Sequence, residues 1–222
     1  MRNTDFIIPL AWPESLVESA GGWYDFVTRT FGITKNGKYR AGHSALLLVN
    51  SENGKIFYFD YGRYHTPNGF GRVRDEITDH ELKIKNIADC KNGIIKNIEA
   101  ILLEIAKNKS NHGEGVMYAS ILAEVDFKRG YEYAKKTQNR GAIPYGPFIK
   151  NGTNCSRFVA SIMQATKPSL IKKLRLKYPF CISPSPKRNV GIANPNYYIV
   201  DNESCEEINR NAVKAYLKSI EK

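Results

Sequence analysis

One cysteine in this chain stands where a thiol could act as a nucleophile. In Thr153-Asn154-Cys155-Ser156-Arg157-Phe158-Val159, a turn is followed by Phe158, Val159, Ile162, Met163 and Thr166, one face of an α-helix. Thr153 or Asn154 is expected to cap that helix through its side-chain oxygen. Cys155 then lies in the first turn, where unpaired N–H groups and the positive end of the helix dipole favour thiolate over thiol. A thiolate nucleophile needs a base. His43 stands at the start of Gly42-His43-Ser44-Ala45-Leu46-Leu47-Leu48-Val49, which reads as a buried strand. A Cys/His pair is the minimum for covalent catalysis by a thiol. The other reading of Cys155 is a packed, inert thiol, and of His43 a strand-edge imidazole satisfied by backbone.

The elements around His43 supply a third group. Asn50-Ser51-Glu52-Asn53-Gly54 carries hairpin turn chemistry, and Ile56-Phe57-Tyr58-Phe59 is the return strand. With Asn50 facing Lys55, position 43 falls opposite position 62. Asp60 is then diagonal to His43 on the same face. There it can orient the imidazole and stabilise its charge. Tyr58 shares that face and is the alternative; Asp60 could also pair with Arg63. Residues 61–74 read as a basic, glycine-rich loop. Within it Arg72 and Arg74 are candidates to hold a substrate carboxylate or phosphate, or else pair with Asp75 and Glu76. Tyr145, just before the cysteine loop, either lines the substrate pocket or supports an oxyanion, or else packs in the core.

Elsewhere, Phe6-Ile7-Ile8 is expected as an arm or edge strand stopped by Pro9. Helices are expected from Pro13, over Trp23–Phe31, over about residues 92–108, from the Asp126 cap to about 138, and over about 204–221. Strands are expected at 81–85, 116–125 and 197–200. The sum is an α+β single domain over residues 1–222.

Composition narrows the function. At 222 residues and 42% hydrophobic content the chain can bury a full core, and 13 tyrosines argue against disorder. No apolar run approaches the ~20 residues that span a bilayer. The N-terminus has one early basic residue and an apolar stretch cut by Pro9, a poor signal peptide, so a cytoplasmic location is expected, with a removed leader left open. Cys90, Cys155, Cys181 and Cys205 form no CxxC pair, so neither metal nor cofactor is expected. The formal net charge of +11 suits an anionic ligand, or simply a Lys-rich surface. Lys172, Lys173, Arg175 and Lys177, interleaved with aliphatics, form either a membrane or nucleic-acid contact or a solvated helix face.

Asn154-Cys155-Ser156-Arg157-Phe158-Val159 resembles the D/N-C-S-x-x-V motif of NlpC/P60-type papain-like enzymes, and Gly42-His43-Ser44-Ala45 resembles their histidine motif. The order is reversed, histidine first. That order is similar to the circularly permuted branch, which includes lecithin:retinol acyltransferase-like, YiiX-like and PPPDE deubiquitinase-like proteins. Asn154-Cys155-Ser156-Arg157-Phe158 matches three positions of the acyltransferase-like N-C-E-H-F run. The resemblance covers about residues 40–165 and leaves both ends unassigned. It implies a papain-like antiparallel sheet packed on helices, with catalytic Cys155 and His43; Asp60, placed by the hairpin register, stands in for the family's orienting third residue. The implied activity is a cysteine peptidase or amidase acting on a peptide or other amide or ester. The second histidine of the acyltransferase-like members is replaced by the Lys55-Ile56 region, which disfavours lipid acyl transfer or thioester hydrolysis. A non-catalytic binder of an anionic partner on the same scaffold is the alternative.

Overall fold

A computed structural model of the chain describes residues 5–18, 34–35, 38–40, 42–146, 149–177, 185–210 and 220. The strands run β1 (Asp5–Trp12), β2 (Leu16–Glu18), β3 (Thr34–Lys35), β4 (Lys38–Arg40), β5 (His43–Val49), β6 (Ile56–Gly62) and β7 (Phe70–Arg74). They continue with β8 (Cys90–Lys91), β9 (Ile94–Ile95), β10 (Met117–Ala119), β11 (Leu122–Val125), β12 (Ile143–Pro144), β13 (Tyr197–Val200) and β14 (Cys205–Ile208). The α-helices are α1 (Ile98–Lys107), α2 (Phe127–Gln138), α3 (Cys155–Ala165), α4 (Leu170–Lys177) and α5 (Pro186–Ala193). None of the described helices is long and apolar enough to cross a membrane. The expected helix over Trp23–Phe31 lies outside the described residues.

The mixed α+β architecture centres on one antiparallel sheet in the order β12-β7-β6-β5-β1-β10-β13-β14, with β11 also paired to β1. Its middle strands are apolar on both faces because both faces are covered. On one side Ile8, Leu10, Leu47 and Tyr58 pack with Ile101, Leu102 and Ile105 of α1. On the other, Ile7, Leu46, Leu48 and Phe59 pack with Ala134 of α2 and with Phe158, Val159, Ile162 and Met163 of α3. The continuous apolar run of β5 follows from that double burial.

The hairpin register is the expected one. Val49 faces Ile56 and Ala45 faces Asp60, and Asn50 N–H donates to the Lys55 carbonyl at 2.9 Å. Asp126 caps α2, accepting from Arg129 N–H at 3.1 Å.

Several expectations are corrected. β1 is a central strand, not an edge strand ending at Pro9. β10 ends at Ala119, opposite Leu10, and β11 starts at Leu122, opposite Ile7. The ladder on that side is therefore interrupted at Ile8–Pro9, where an imino acid can be accommodated. The chain after Pro13 is a turn followed by β2, which pairs with β4, rather than a helix. Residues 70–74, expected as loop, form β7 against β6. The alternating segment 81–85 has no strand partner among the described residues. Its 3₁₀ turn spans His80–Leu82, and the Glu104 carboxylate takes the N–H groups of Lys85 (2.6 Å) and Asn86 (3.0 Å) in place of a ladder. The helix expected from about 92 starts at Ile98, after a small β8–β9 hairpin. The strand expected over 116–125 is broken into β10 and β11. Cys205–Ile208 is the return strand of a hairpin, not helix: the Asp201 carboxylate accepts from the N–H groups of Glu203 and Ser204 and closes the turn. Residues 211–219 of that expected helix are outside the described set.

Gly130 lets α2 approach α3 and β5. A Cβ there would lie 2.6 Å from Cγ2 of Thr166 and 3.2 Å from Leu48, both fully buried. Gly130→Val is expected to lower stability by about 1–3 kcal/mol through overpacking, read as a lower urea midpoint with unchanged slope.

Candidate active site

Asn154 has extended backbone and its side chain accepts from Arg157 N–H at 2.9 Å, so Asn154, not Thr153, caps α3. This makes Cys155 the first helical residue. Its Sγ lies 4.0 Å from the Gly42 carbonyl, immediately before β5, and 3.9 Å from Ser156 Oγ. The side chain is only 6% exposed. Burial alone raises the thiol pKa, but hydrogen bonding to His43, the imidazolium charge, Ser156 and the Ser44 N–H together hold it below the ordinary value.

His43, first residue of β5, is the partner. Its Nε2 lies 3.4 Å from Asp60 Oδ2 and 3.4 Å from Tyr64 Oη. With Nε2 so engaged, Nδ1 is the ring nitrogen left to meet the thiol. Burial pushes the imidazole down; the hydrogen bonds to Asp60 and Cys155 and the charges of both outweigh it, and the pKa rises to about 9. A lowered thiol beside a raised imidazole favours proton transfer from Cys155 to His43.

Asp60 is fully buried and faces His43 across the hairpin, whereas Tyr58 reaches Asp60 rather than the imidazole, donating to Oδ2 at 3.0 Å. Asp60 also takes both prongs of Arg74, Nε to Oδ1 at 3.0 Å and Nη2 to Oδ2 at 2.6 Å, and the Tyr64 hydroxyl at 3.2 Å. Burial would raise its pKa; His43 and Arg74 together lower it to about 2. Burial keeps Tyr58 and Tyr64 well above the ordinary phenol value, so both remain donors.

The arginines therefore do not offer themselves to a substrate anion. Arg74 is directly opposite Asp60 on β7 and only 3% exposed, its guanidinium 3.4 Å from the Tyr64 ring centroid. Arg72 binds Asp79 through two 2.7 Å hydrogen bonds and donates to the Tyr64 carbonyl. Neither pairs with Asp75 or Glu76 in the way the sequence suggested. Tyr145 stacks on Tyr61, with centroids 5.7 Å apart, and lines a cleft of about 340 Å³. Ser15, Leu16, His43 and Tyr64 also line that cleft.

Three residues escape the sequence reading. Trp12 pairs with His43 across β1 and β5 and stacks on its ring at 5.7 Å. Tyr64 joins Asp60 to His43. His112, which sequence gives no role, stacks on Tyr64 at 5.2 Å and lines the cleft. Only Trp12 carried a signal, an aromatic at the end of an apolar run. The other two depend on chain folding back from residues 61–74 and 111–115.

Removing the Asp60 charge leaves burial as the main influence on His43. Asp60→Asn is expected to lower the His43 pKa from about 9, read by NMR titration of the ring protons. Because that change strands the buried Arg74, at a cost of about 3–5 kcal/mol, Asp60→Asn/Arg74→Met is the matched variant and should show the same fall.

The fold and residues 7–170 have known counterparts. The crystal structure of the Type VI secretion system effector TseH superposes with a TM-score of 0.63 at 20% identity, covering 92% of this chain and 98% of that one. No curated protein sequence matches the chain. The profile of the Type VI secretion system effector TseH-like proteins matches residues 7–170. That match begins inside β1, in keeping with the strand's central place, and not near residue 40. Spanning well over half of the sequence, it shows that the chain belongs to the TseH-like family of Type VI secretion system effectors.

Proposed function

We propose that the chain is a papain-like cysteine hydrolase of the permuted NlpC/P60 kind, cleaving an amide through Cys155, His43 and Asp60. The observation that carries this reading is the convergence of a cysteine at a helix start, its pKa lowered, with a histidine whose pKa a buried carboxylate raises. The Cys155 thiolate attacks the carbonyl carbon of the substrate. The developing oxyanion lies near the Cys155 N–H at the start of α3, which donates to it. His43, already protonated, gives its proton to the leaving amine as the C–N bond breaks, and a thioester remains. Water, giving a proton to His43, adds to the thioester; the acid departs and the thiolate and imidazolium are restored. Asp60 stays ionised throughout and keeps the imidazole ring oriented.

The substrate class favoured by the resemblance is a peptide or cell-wall-type amide. The scissile carbonyl reaches Cys155 from the cleft, passing beside His43. Lipid acyl transfer is less well supported: Lys55 and Ile56, where the acyltransferase-like members carry a second histidine, stand at the end of the hairpin away from His43. Membership in an effector family supports a reading in which the chain is made in the cytoplasm and meets its substrate outside the producing cell.

Alkylation of Cys155 by iodoacetamide tests the reading without a known substrate. The rate should rise with an apparent pKa well below the ~8.5 of a free thiol, and His43→Ala should move that midpoint upward. An ordinary thiol profile in both proteins would overturn the proposal. On a cleavable amide, Cys155→Ala should abolish turnover and His43→Ala should cost roughly 10²–10⁴-fold or more. Activity should rise with thiolate formation and fall as pH passes about 9, where His43 loses the proton it must donate.

A further inference from the structure

Helix α4 presents a surface that the proposed chemistry does not use. Leu170, Ile171 and Leu174 are 77%, 72% and 57% exposed, and no residue of the helix is fully buried. At about 100° per residue these three fall within one arc of the helix. Lys173 and Lys177 border that arc on one side; Arg175 and Lys172 border it on the other. The helix contains no acid. It is fixed to the body by Leu176, which packs against the core beside α3, and by Arg188, which donates to the Arg175 carbonyl at 3.4 Å. The Lys172 stem is partly buried, with Glu124 near enough to act on its charge.

An apolar ridge with cations on both flanks is the pattern of a helix lying in a lipid interface, aliphatics down and basic heads level with the phosphates. Nucleic acid would satisfy the cations and leave three large aliphatics in water. An acidic protein would need a groove shaped to this ridge, whereas a fluid bilayer adapts to it. The chain's formal net charge of +11 adds attraction of the same sign. We propose that α4 docks the protein on an anionic lipid bilayer surface.

The test is sedimentation of the full chain with vesicles of phosphatidylglycerol mixed into phosphatidylcholine, against phosphatidylcholine alone. Anionic vesicles are expected to bind at least tenfold more tightly, with the preference weakening as salt rises. Leu170→Ser/Ile171→Ser/Leu174→Ser and Lys172→Gln/Lys173→Gln should each lose about tenfold, with Cys155 alkylation unchanged as a check on folding. Three results would overturn the proposal. Wild type could show no preference for anionic vesicles. The serine variant could bind as wild type does, making the attraction diffuse charge. Light scattering could instead reveal a dimer that the serine variant loses, making the ridge an interface between copies of the chain.

Discussion

The arrangement depends on a carboxylate with no access to water. Asp60 is fully buried, and an ionised carboxylate in such a place is tolerated only when its oxygens are saturated by donors and its charge is matched. Four side chains do this: Arg74 through two bonds, Tyr58, Tyr64 and His43. The first two sit on the sheet itself. Tyr58 is two residues back along β6, on the same face, and Arg74 is directly across on β7. A one-residue slip of β7 would turn Arg74 to the other face and leave the charge unmatched. The Asp60–Arg74 pair and the β6–β7 register therefore require each other.

His43 is held from two sides by chain that is distant in sequence. Trp12 lies against its ring, and a Cβ on Gly113 would come within 2.3 Å of the Trp12 indole, so glycine is what lets the 111–115 segment close over it. That segment is fixed by Asn111, whose side chain accepts from Gly113 N–H at 2.7 Å, and by Ser15, whose hydroxyl accepts from Glu114 N–H at 2.8 Å. The adjacent His112 covers Tyr64, the phenol bridging Asp60 and His43. A turn with no chemistry of its own thus rests on both supports of the imidazole.

What could be read from sequence was what short-range chemistry dictates. The β5–β6 hairpin follows from its turn: Asn50 and Asn53 accept from N–H groups two residues on, and Gly54 takes a positive φ of 69°. The cap on α3 follows from Asn154. Together these put Cys155 at a helix start and His43 and Asp60 on one face. What could not be read was decided by distant partners. Pro9 signals a strand end unless the neighbouring ladder happens to break beside it. Glu81-Leu82-Lys83-Ile84-Lys85 alternates like a strand but meets the Glu104 carboxylate, not another strand. Phe70–Arg74 looks like loop until β6 offers an edge. Arg74 consequently read as a hand extended to substrate when it belongs to Asp60.

The charges of the site make physical sense only as a set. In the proposed mechanism Cys155 as thiolate, His43 as imidazolium, Asp60 as carboxylate and Arg74 as guanidinium alternate in sign and sum to zero. Each is buried, and each is adjacent to an opposite charge. Without Arg74, the same volume would hold two anions and one cation, and desolvation would favour taking up a proton. Asp60, fully buried beside His43, or Cys155 would be the group to take it, and either event weakens the ion pair on which a thiol nucleophile depends. The pair is costly to bury, and as a source of stability it would be a poor choice beside well-packed apolar residues. Its worth lies in fixing where protons reside. A guanidinium keeps its proton at every relevant pH, so the charge at position 74 anchors Asp60 as an anion, Asp60 raises the pKa of His43, and His43 lowers that of Cys155.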